Sequence, residues 1–240
     1  MTETAPTPTQ NHLLAALPRE QRERWQGHLE YVDLRLCKVL YEPGDTLSHA
    51  YFPTTAIVSL LYVMMDGESA EIAVVGSEGV VGVPLFMGGG STSSRALVQS
   101  AGGAYRLSAE LMKQEFERGG PVLHLLLRYT QALMTQMVQT AACNKHHSLD
   151  QQLCRWLLLS MDRLQGTQIQ MTRTLIAHML GVTSERATEA ALKLRDVGLI
   201  DYEDGQIEVL DRSALEKRSC ECYRVVKHEY DRLLPLQLAA

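Results

Sequence analysis

The densest group of polar side chains that could recognise another molecule lies between residues 172 and 189. Arg173 and Arg186 can pair with phosphates or guanine, and Glu185 can accept a hydrogen bond from the amino group of cytosine. The other side chains of this group that could touch a nucleic acid are Thr183, Ser184, Thr188 and Glu189. Such side chains recognise base edges only when a helix holds them in register, so the surrounding elements decide their role.

Two short helices are predicted around this polar group. Thr172 and Thr183 are good N-caps, and each precedes apolar residues at helical spacing. The apolar residues are Leu175, Ile176, Met179 and Leu180 in the first helix and Ala187, Ala190, Ala191 and Leu194 in the second. Gly181 ends the first helix, so the two helices should meet at a tight turn with Ser184 to Glu189 exposed.

A β-hairpin is predicted directly after the second helix. Residues 198–202 and 207–210 are strand-like and flank a turn over 203–206 that contains Asp-Gly. Helix, glycine turn, helix and β-ribbon in this order are typical of a winged helix-turn-helix, whose second helix enters the major groove. The alternative is a helical pair that belongs to a core and carries an unrelated hairpin.

The segment from Tyr31 to Leu107 is predicted to be all β. Turn signals recur along it, among them Pro43-Gly44-Asp45, Asp66-Gly67 and Gly88-Gly89-Gly90, and no long helical pattern interrupts them. A unit of this kind can close into an antiparallel barrel or jelly roll that leaves no exposed edge. The predicted fold class is therefore α+β, with an N-terminal barrel, a long central helix and a C-terminal winged helix-turn-helix.

A long helix is predicted between the barrel and the C-terminal elements, beginning at Pro121. Alternating steps of three and four residues define a seam of Leu123, Leu126, Thr130, Leu133 and Met137. Such a seam is typical of a coiled-coil dimer. The alternative is an amphipathic helix packed on its own barrel. A hinge is predicted near Asn144 to Ser148, and another helix over 149–164.

With these elements the chain resembles the Crp/Fnr family of bacterial transcriptional regulators along nearly its whole length. The resemblance rests on these elements and on the stretches 41–45 (Tyr-Glu-Pro-Gly-Asp), 75–79 (Val-Gly-Ser-Glu-Gly), 171–200 and 210–215. It implies a disordered tail (1–12), a cyclic-nucleotide-binding-like sensor domain (13–120), a dimerisation helix with its hinge (121–147) and a DNA-binding domain (148–240). The implied function is sequence-specific transcriptional regulation by a homodimer on a two-fold symmetric operator in double-stranded DNA, with RNA polymerase as a further partner.

The resemblance transfers site residues unevenly. Glu185 occupies the position of the family's base-reading glutamate and Thr188 a position where a hydroxyl residue is common, whereas Ser184 and Glu189 replace arginines of many members. Members that bind cyclic AMP use a Gly-Glu pair and an arginine followed by Ser or Thr. This chain has Gly82-Val83 and Arg95-Ala96 at those places, and valine cannot accept a hydrogen bond. We therefore expect no binding of cyclic AMP, and either a different small-molecule effector or none.

No cofactor and no metal site are predicted. The five cysteines include no CxxC pair, and Cys220-Glu221-Cys222 fits no common zinc spacing, so reduced structural thiols are expected. Cys143 precedes His146-His147, but adjacent histidines on a helix diverge by about 100° and should not share one ion. An iron-sulfur cluster would need several N-terminal cysteines, and only Cys37 precedes residue 143.

Composition bounds the remaining function classes. The sequence has 45% hydrophobic and 21% charged residues, no long apolar run and no signal-peptide pattern, which predicts a cytoplasmic globular protein without membrane contact. The net charge of −5 is unusual for a nucleic-acid binder. The alternative function is a small-molecule-binding or enzymatic barrel whose helices serve assembly. An enzyme is not expected, because His49 is the only histidine in the β region and no catalytic group can be assembled.

Overall fold

The computed structural model describes residues 6–164, 167–203 and 205–234. Its helices are α1 (His12–Ala16), α2 (Arg19–Gln26), α3 (Ala109–Arg118), α4 (Gly120–His146), α5 (Leu149–Met161), α6 (Arg173–Leu180), α7 (Ser184–Asp196), α8 (Arg212–Arg218) and α9 (Glu221–Leu233). Its strands are β1 (Glu30–Leu34), β2 (Val39–Tyr41), β3 (His49–Pro53), β4 (Ile57–Val63), β5 (Ser69–Val75), β6 (Ser94–Ser100), β7 (Gly102–Ser108), β8 (Gln168–Gln170), β9 (Ile200–Glu203) and β10 (Gln206–Val209). No helix within these ranges is long and apolar enough to cross a membrane.

The first seven strands form two antiparallel sheets. One sheet has the order β1-β7-β3 and the other the order β2-β6-β4-β5. Phe52, Ile57, Leu61 and Leu107 are fully buried between them, and the Trp25 ring from α2 packs 5.9 Å from Phe52 at one end. The predicted fold class, an antiparallel barrel followed by a long helix and a winged helix-turn-helix, is confirmed.

The N-terminal segment differs from the disordered tail expected over residues 1–12. Asn11 is completely buried, and its side-chain amide donates to the backbone oxygens of Pro53 (2.9 Å) and Gly79 (2.8 Å). Its side-chain oxygen caps α1 by accepting from two backbone N–H groups. These hydrogen bonds satisfy the polar groups of the buried Asn11 amide and hold residues 6–12 on the barrel. The Pro/Thr-rich composition of the segment gives no indication of these contacts. Residues 1–5 of the expected tail lie outside the described part of the chain.

The central helix α4 packs against its own barrel and against α9. Tyr129 donates its hydroxyl to the backbone oxygen of Val80 (3.0 Å), and Gln136 donates its amide to that of Val74 (3.0 Å). Of the predicted seam, Leu126, Thr130 and Leu133 are buried within this single chain, and Leu123 and Met137 are half-buried. The expected dimer seam is thus corrected, because these side chains gain their burial against the chain itself. A three-four spacing shows that a face is apolar, not what covers it.

A different face of α4 is exposed and apolar. Leu127, Met134 and Val138 are 47%, 58% and 65% exposed, and they follow one another at steps of seven and four residues. We call these three residues the exposed α4 stripe. It has the spacing expected of a coiled-coil seam, displaced by one position from the predicted one.

The C-terminal elements begin at the predicted hinge. The helix breaks between His146 and Leu149, where Ser148 and Gln151 form a reciprocal capping box at the start of α5. The wing is a three-stranded sheet of order β8-β10-β9, so it contains one strand, β8, that the predicted hairpin lacked. Asp204 in the predicted turn lies outside the described residues. Helix α9, for which the sequence analysis made no prediction, packs on α4 and α5.

Candidate nucleic-acid interface

The turn between α6 and α7 follows from local chemistry. The Thr172 hydroxyl accepts a hydrogen bond from the backbone N–H of Leu175 (3.2 Å) and so caps α6. Gly181 ends α6 with φ +62°, a left-handed conformation that favours glycine. A Cβ at this position would also contact Ala70 of β5 at 3.4 Å, so the turn lies close to the barrel.

Helix α7 presents a polar face because its other face consists of small buried residues. Thr183 caps it, and Ala187, Ala190, Ala191 and Leu194 are all buried. Small side chains on this face allow a close approach to α6, as predicted. Glu185, Arg186 and Glu189 are exposed, and Ser184 and Thr188 are half-buried on the outer side. The structure therefore brings the predicted contact residues of α7 onto one accessible surface.

Three of these residues also have partners within α7. The pKa of Glu185 is lowered by hydrogen bonds to its carboxylate from its own backbone N–H and from the Thr183 hydroxyl. Thr188 donates its hydroxyl to the backbone oxygen of Ser184 (2.7 Å), and Glu189 pairs with Lys193 (2.9 Å). These contacts stabilise the helix. Each of these side chains therefore has a structural role within α7 as an alternative to a role in DNA recognition.

Two arginines supply the positive charge of this surface. Arg173 in the first turn of α6 and Arg186 in the first turn of α7 are both exposed. Within the described ranges neither forms an ion pair with a carboxylate. They are the cations that a phosphate could meet beside the two helix N-termini, which themselves favour anions.

The wing carries the opposite charge. Asp201, Glu203 and Glu208 line one shallow groove on it together with two glutamines. A phosphate brought to this face would be repelled. Among the predicted contact residues, the positive charge therefore lies at the N-terminal ends of α6 and α7, where Arg173 and Arg186 are exposed.

The predicted effector residues include one cation, Arg95, which already has a carboxylate partner. Gly82 has φ +112° and begins a short 3-10 helix over Val83–Leu85. Arg95 on β6 already pairs with Glu42 through a 2.7 Å contact from its Nε, and Ala96 is fully buried beside it. An anion at Arg95 would have to displace the Glu42 carboxylate, and Val83 offers no side-chain acceptor for a ribose hydroxyl.

A buried polar network that no sequence pattern predicts connects the barrel with α5. The Ser59 hydroxyl lies 2.7 Å from both Glu71 and Gln99, and the Gln99 amide donates to Ser160 of α5 (3.0 Å). Burial raises the pKa of Glu71 to about 7, and the nearby Arg155 only partly opposes this shift. No local pattern announces such a network, because its members come from three strands and one helix.

The 75–79 loop forms a second connection between the barrel and the helices. Glu78 pairs with the buried Arg163 at the end of α5 (2.7 Å), and Arg163 also donates to Gln136 of α4 (3.0 Å). The absent side chain of Gly79 leaves room for Tyr129, because a Cβ there would lie 2.6 Å from the ring. The stretch that supported the family resemblance thus joins the sensor-like barrel to both helices.

The structure also joins cysteines and a histidine that the sequence analysis treated separately. Cys143, His147, Cys220 and Cys222 place their possible ligand atoms within 4.8 Å of one another. We call these four residues the Cys/His cluster. His146 is exposed and not part of it, as expected from the divergence of adjacent side chains. Cys154 is buried elsewhere, and burial raises the pKa of its thiol to about 12, as expected of a structural cysteine.

One segment of the chain matches a known protein family. Residues 151–218 match the family model of the Crp-like helix-turn-helix domain. No curated protein sequence was found to match the chain.

Solved structures with this fold include a putative transcriptional regulator of the Crp/Fnr family from Eubacterium rectale. It is 15% identical, with a TM-score of 0.67 over 88% of this chain and 97% of that one. FixK2 from Bradyrhizobium japonicum is 17% identical, with a TM-score of 0.65 over 80% and 98% of the two chains. The c-di-GMP-responsive global regulator CLP from Xanthomonas campestris is also 17% identical, with a TM-score of 0.60 over 81% and 100%.

The proteins from Eubacterium rectale and Xanthomonas campestris are described as regulators. The alternative of an enzymatic barrel gains no support from them. The predicted resemblance is confirmed for the fold and the DNA-binding domain: the chain shares the fold of Crp/Fnr-family regulators, and residues 151–218 match the Crp-like helix-turn-helix domain.

Proposed function

We propose that the chain is a cytoplasmic homodimeric regulator that binds a two-fold symmetric site in double-stranded DNA. The observation that carries this proposal is the capped helix α7, which directs Glu185 and Arg186 outward beside the wing, within the segment that matches the Crp-like domain. Two such helices related by a two-fold axis would enter successive major grooves.

The exposed α4 stripe is the dimer contact in this proposal. Its spacing matches a seam between two parallel helices, and Ala141 continues it three residues beyond Val138. The opposite face of α4 is already covered by the barrel and α9, which leaves this apolar face for a second copy. The predicted homodimer is thus retained, with Leu127, Met134 and Val138 in place of Leu126, Leu133 and Met137.

Sequence recognition should depend on the two charged residues at the start of α7. We expect Glu185→Ala to leave non-specific DNA binding unchanged or tighter, since a carboxylate near phosphates is repulsive, while preference at one base pair per half-site falls about ten-fold or more. Arg186→Ala should weaken binding evenly across sequences and flatten its salt dependence if this side chain meets phosphate. The measurement is competition binding on a panel of single-base operator variants at several salt concentrations.

The matched control for these variants is Lys193→Ala, because Lys193 lies three turns from the N-terminus of the same helix and pairs with Glu189. It should change base preference less than Glu185→Ala. If Glu185→Ala keeps the full base preference and alters only the melting temperature, Glu185 is a helix-stabilising residue and does not contact bases.

Cyclic AMP and cyclic GMP at micromolar concentration are expected not to stabilise the protein. Val83 lacks an acceptor and Arg95 is engaged by Glu42, so the barrel offers no complete site for a cyclic phosphate and its ribose. A ligand at 100 times its dissociation constant would stabilise the fold by roughly 2.7 kcal/mol, which a melting curve detects. Cyclic di-GMP is a useful further arm because CLP, which shares the fold, responds to it. A saturable shift with cyclic AMP would contradict the assignment.

Regulation in this proposal acts through the contacts between the barrel and helices α4 and α5. Glu78 and Val80 of the barrel contact Arg163 and Tyr129, and α4 leads directly to the hinge at Ser148. A change in the barrel would therefore alter the angle between α4 and α5 and re-aim α7.

A further inference from the structure

The Cys/His cluster lies where the long helix α4 meets the last helix α9. Cys143 is in the last turn of α4 and His147 is its C-cap, whereas Cys220 is the N-cap of α9 and Cys222 is in its first turn. The Sγ atoms of Cys143 and Cys220 are 3.5 Å apart, and Cys222 Sγ is 3.6 Å from Nδ1 of His147. Four good metal ligands from two distant parts of the chain thus converge on one point.

We propose that these four residues bind one structural zinc ion, Zn²⁺. Tetrahedral zinc with Zn–S bonds of about 2.3 Å and Zn–N bonds of about 2.0 Å separates two sulfurs by about 3.8 Å and a sulfur from a nitrogen by about 3.5 Å. The two distances in the cluster are close to these edges. The sulfur separation is much longer than a disulfide bond of about 2.05 Å. Three cysteines and one histidine form a closed ligand set, typical of structural and not catalytic zinc.

The surroundings of the ligands fit a metal site. The three cysteines are almost completely buried, which protects thiolates from solvent and oxidants. Nε2 of His147 lies 3.4 Å from a carboxylate oxygen of Glu221, on the side of the ring opposite Cys222. A metal-binding histidine commonly donates its other ring N–H to a carboxylate, which fixes the ring and the tautomer. Glu221, between the two cysteine ligands, therefore orients His147 for metal binding through Nδ1.

The charge balance of the site is also favourable. Zinc with three thiolates and a neutral imidazole carries one net negative charge, and the N-terminus of α9 directs its partial positive charge toward the cysteines at its start. Zinc binding would release the protons of the three cysteine thiols to solvent, and the ion would take their place among ligands that the fold already holds together.

The position of the site gives the ion a structural task. It would tie α9 to the end of α4 beside the hinge, where Gln152 of α5 also donates to the backbone oxygen of His147 (2.9 Å). Three helices would then meet in one fixed arrangement at the point where the chain turns from the barrel toward the winged helix. This site does not depend on the proposed DNA-binding function, and metal content tests it separately.

The test is the metal content of the full chain, purified under reducing conditions and incubated with zinc before exhaustive dialysis. We expect one zinc ion per chain by elemental analysis, near-complete loss in Cys222→Ser and His147→Ala, and full retention in the matched controls Cys37→Ser and His146→Ala. Cys37 and His146 are exposed members of the same residue types outside the cluster.

Cobalt provides a measurement that needs no variant. The chain with Co²⁺ in place of zinc should show the thiolate-to-cobalt charge-transfer bands and intense visible bands of tetrahedral coordination. The proposal is overturned if the reduced chain retains no zinc, if Cys222→Ser and His147→Ala retain it fully, or if cobalt gives an octahedral spectrum. A Cys143–Cys220 disulfide that persists in reductant and excludes the metal would also overturn it.

Discussion

Met134→Asp should be monomeric at concentrations at which the unaltered chain is a dimer. Met134 is 58% exposed in the single chain, so the new carboxylate would remain hydrated in the monomer and the fold should survive. In a dimer built on the exposed α4 stripe, two such carboxylates would be buried against each other without partners. An unpaired buried charge costs enough to break an interface of modest size.

Loss of the dimer should have a large effect on DNA binding. When two binding domains are linked, the second half-site is bound at a high effective concentration, which raises the overall affinity by about 10² to 10⁴. Met134→Asp should therefore bind a palindromic operator about as weakly as a single half-site. Sedimentation velocity measures the oligomeric state, and fluorescence anisotropy on full and half operators measures the binding.

Two further variants separate this interpretation from others. Met87→Asp changes an equally exposed methionine on the barrel and should leave both dimer and DNA binding intact. Leu133→Asp changes a residue of the originally predicted seam that is buried inside the chain, so it should unfold the protein instead of producing a folded monomer. A dimeric Met134→Asp with normal operator affinity would remove the exposed α4 stripe as the interface.

Glu71→Gln is expected to stabilise the protein at pH 8 by about 3 kcal/mol. Burial raises the pKa of this carboxyl from an ordinary 4.5 to about 7 in the folded chain. The folded state therefore holds the proton more tightly than the unfolded state. The contribution of Glu71 to the stability of the fold is therefore largest below pH 4.5. It decreases as the pH rises toward 7 and is lost above pH 7. Glutamine keeps the shape and a hydrogen-bonding side chain without a charge.

Urea unfolding at pH 5 and pH 8 checks this expectation. The variant should differ little from the unaltered chain at pH 5 and be clearly more stable at pH 8. Glu68→Gln, which removes an exposed carboxylate near the same strand, is the control and should have nearly the same stability as the unaltered chain at each of the two pH values. A variant that loses stability at pH 8 would show that the ionised Glu71 is favourably paired in the network with Ser59 and Gln99.

Local rules were sufficient for the helix-turn-helix. Thr172, Gly181 and Thr183 act on backbone groups within three or four residues, so residue type and spacing determine where α6 and α7 begin and end. The break at Ser148 follows in the same way from its capping box. The positions of Ala187 and Ala191 on the buried face follow from the helical period alone.

Helix α9 could also have been found from periodicity, although no prediction was made for it. Cys222, Tyr223, Val226, Tyr230 and Leu233 follow a helical spacing and are all buried. Recognition of this helix would still not have shown which of its thiols face Cys143, because Cys143 lies 77 residues before Cys220 in the chain.

By itself the sequence determined the order of barrel, long helix and helix-turn-helix, the caps of α6 and α7, and the polar face of α7, because these depend on interactions between near neighbours. Only the tertiary structure decided which face of α4 is covered, that Asn11 is buried, that Glu71 lies in a network, and that Cys143, His147, Cys220 and Cys222 converge. Burial of an apolar stripe gains nearly the same free energy against any apolar surface. The spacing of cysteines in the sequence does not show which distant residues they meet in the fold. These choices follow from how the whole chain packs, where contacts between remote segments compete for the same surfaces.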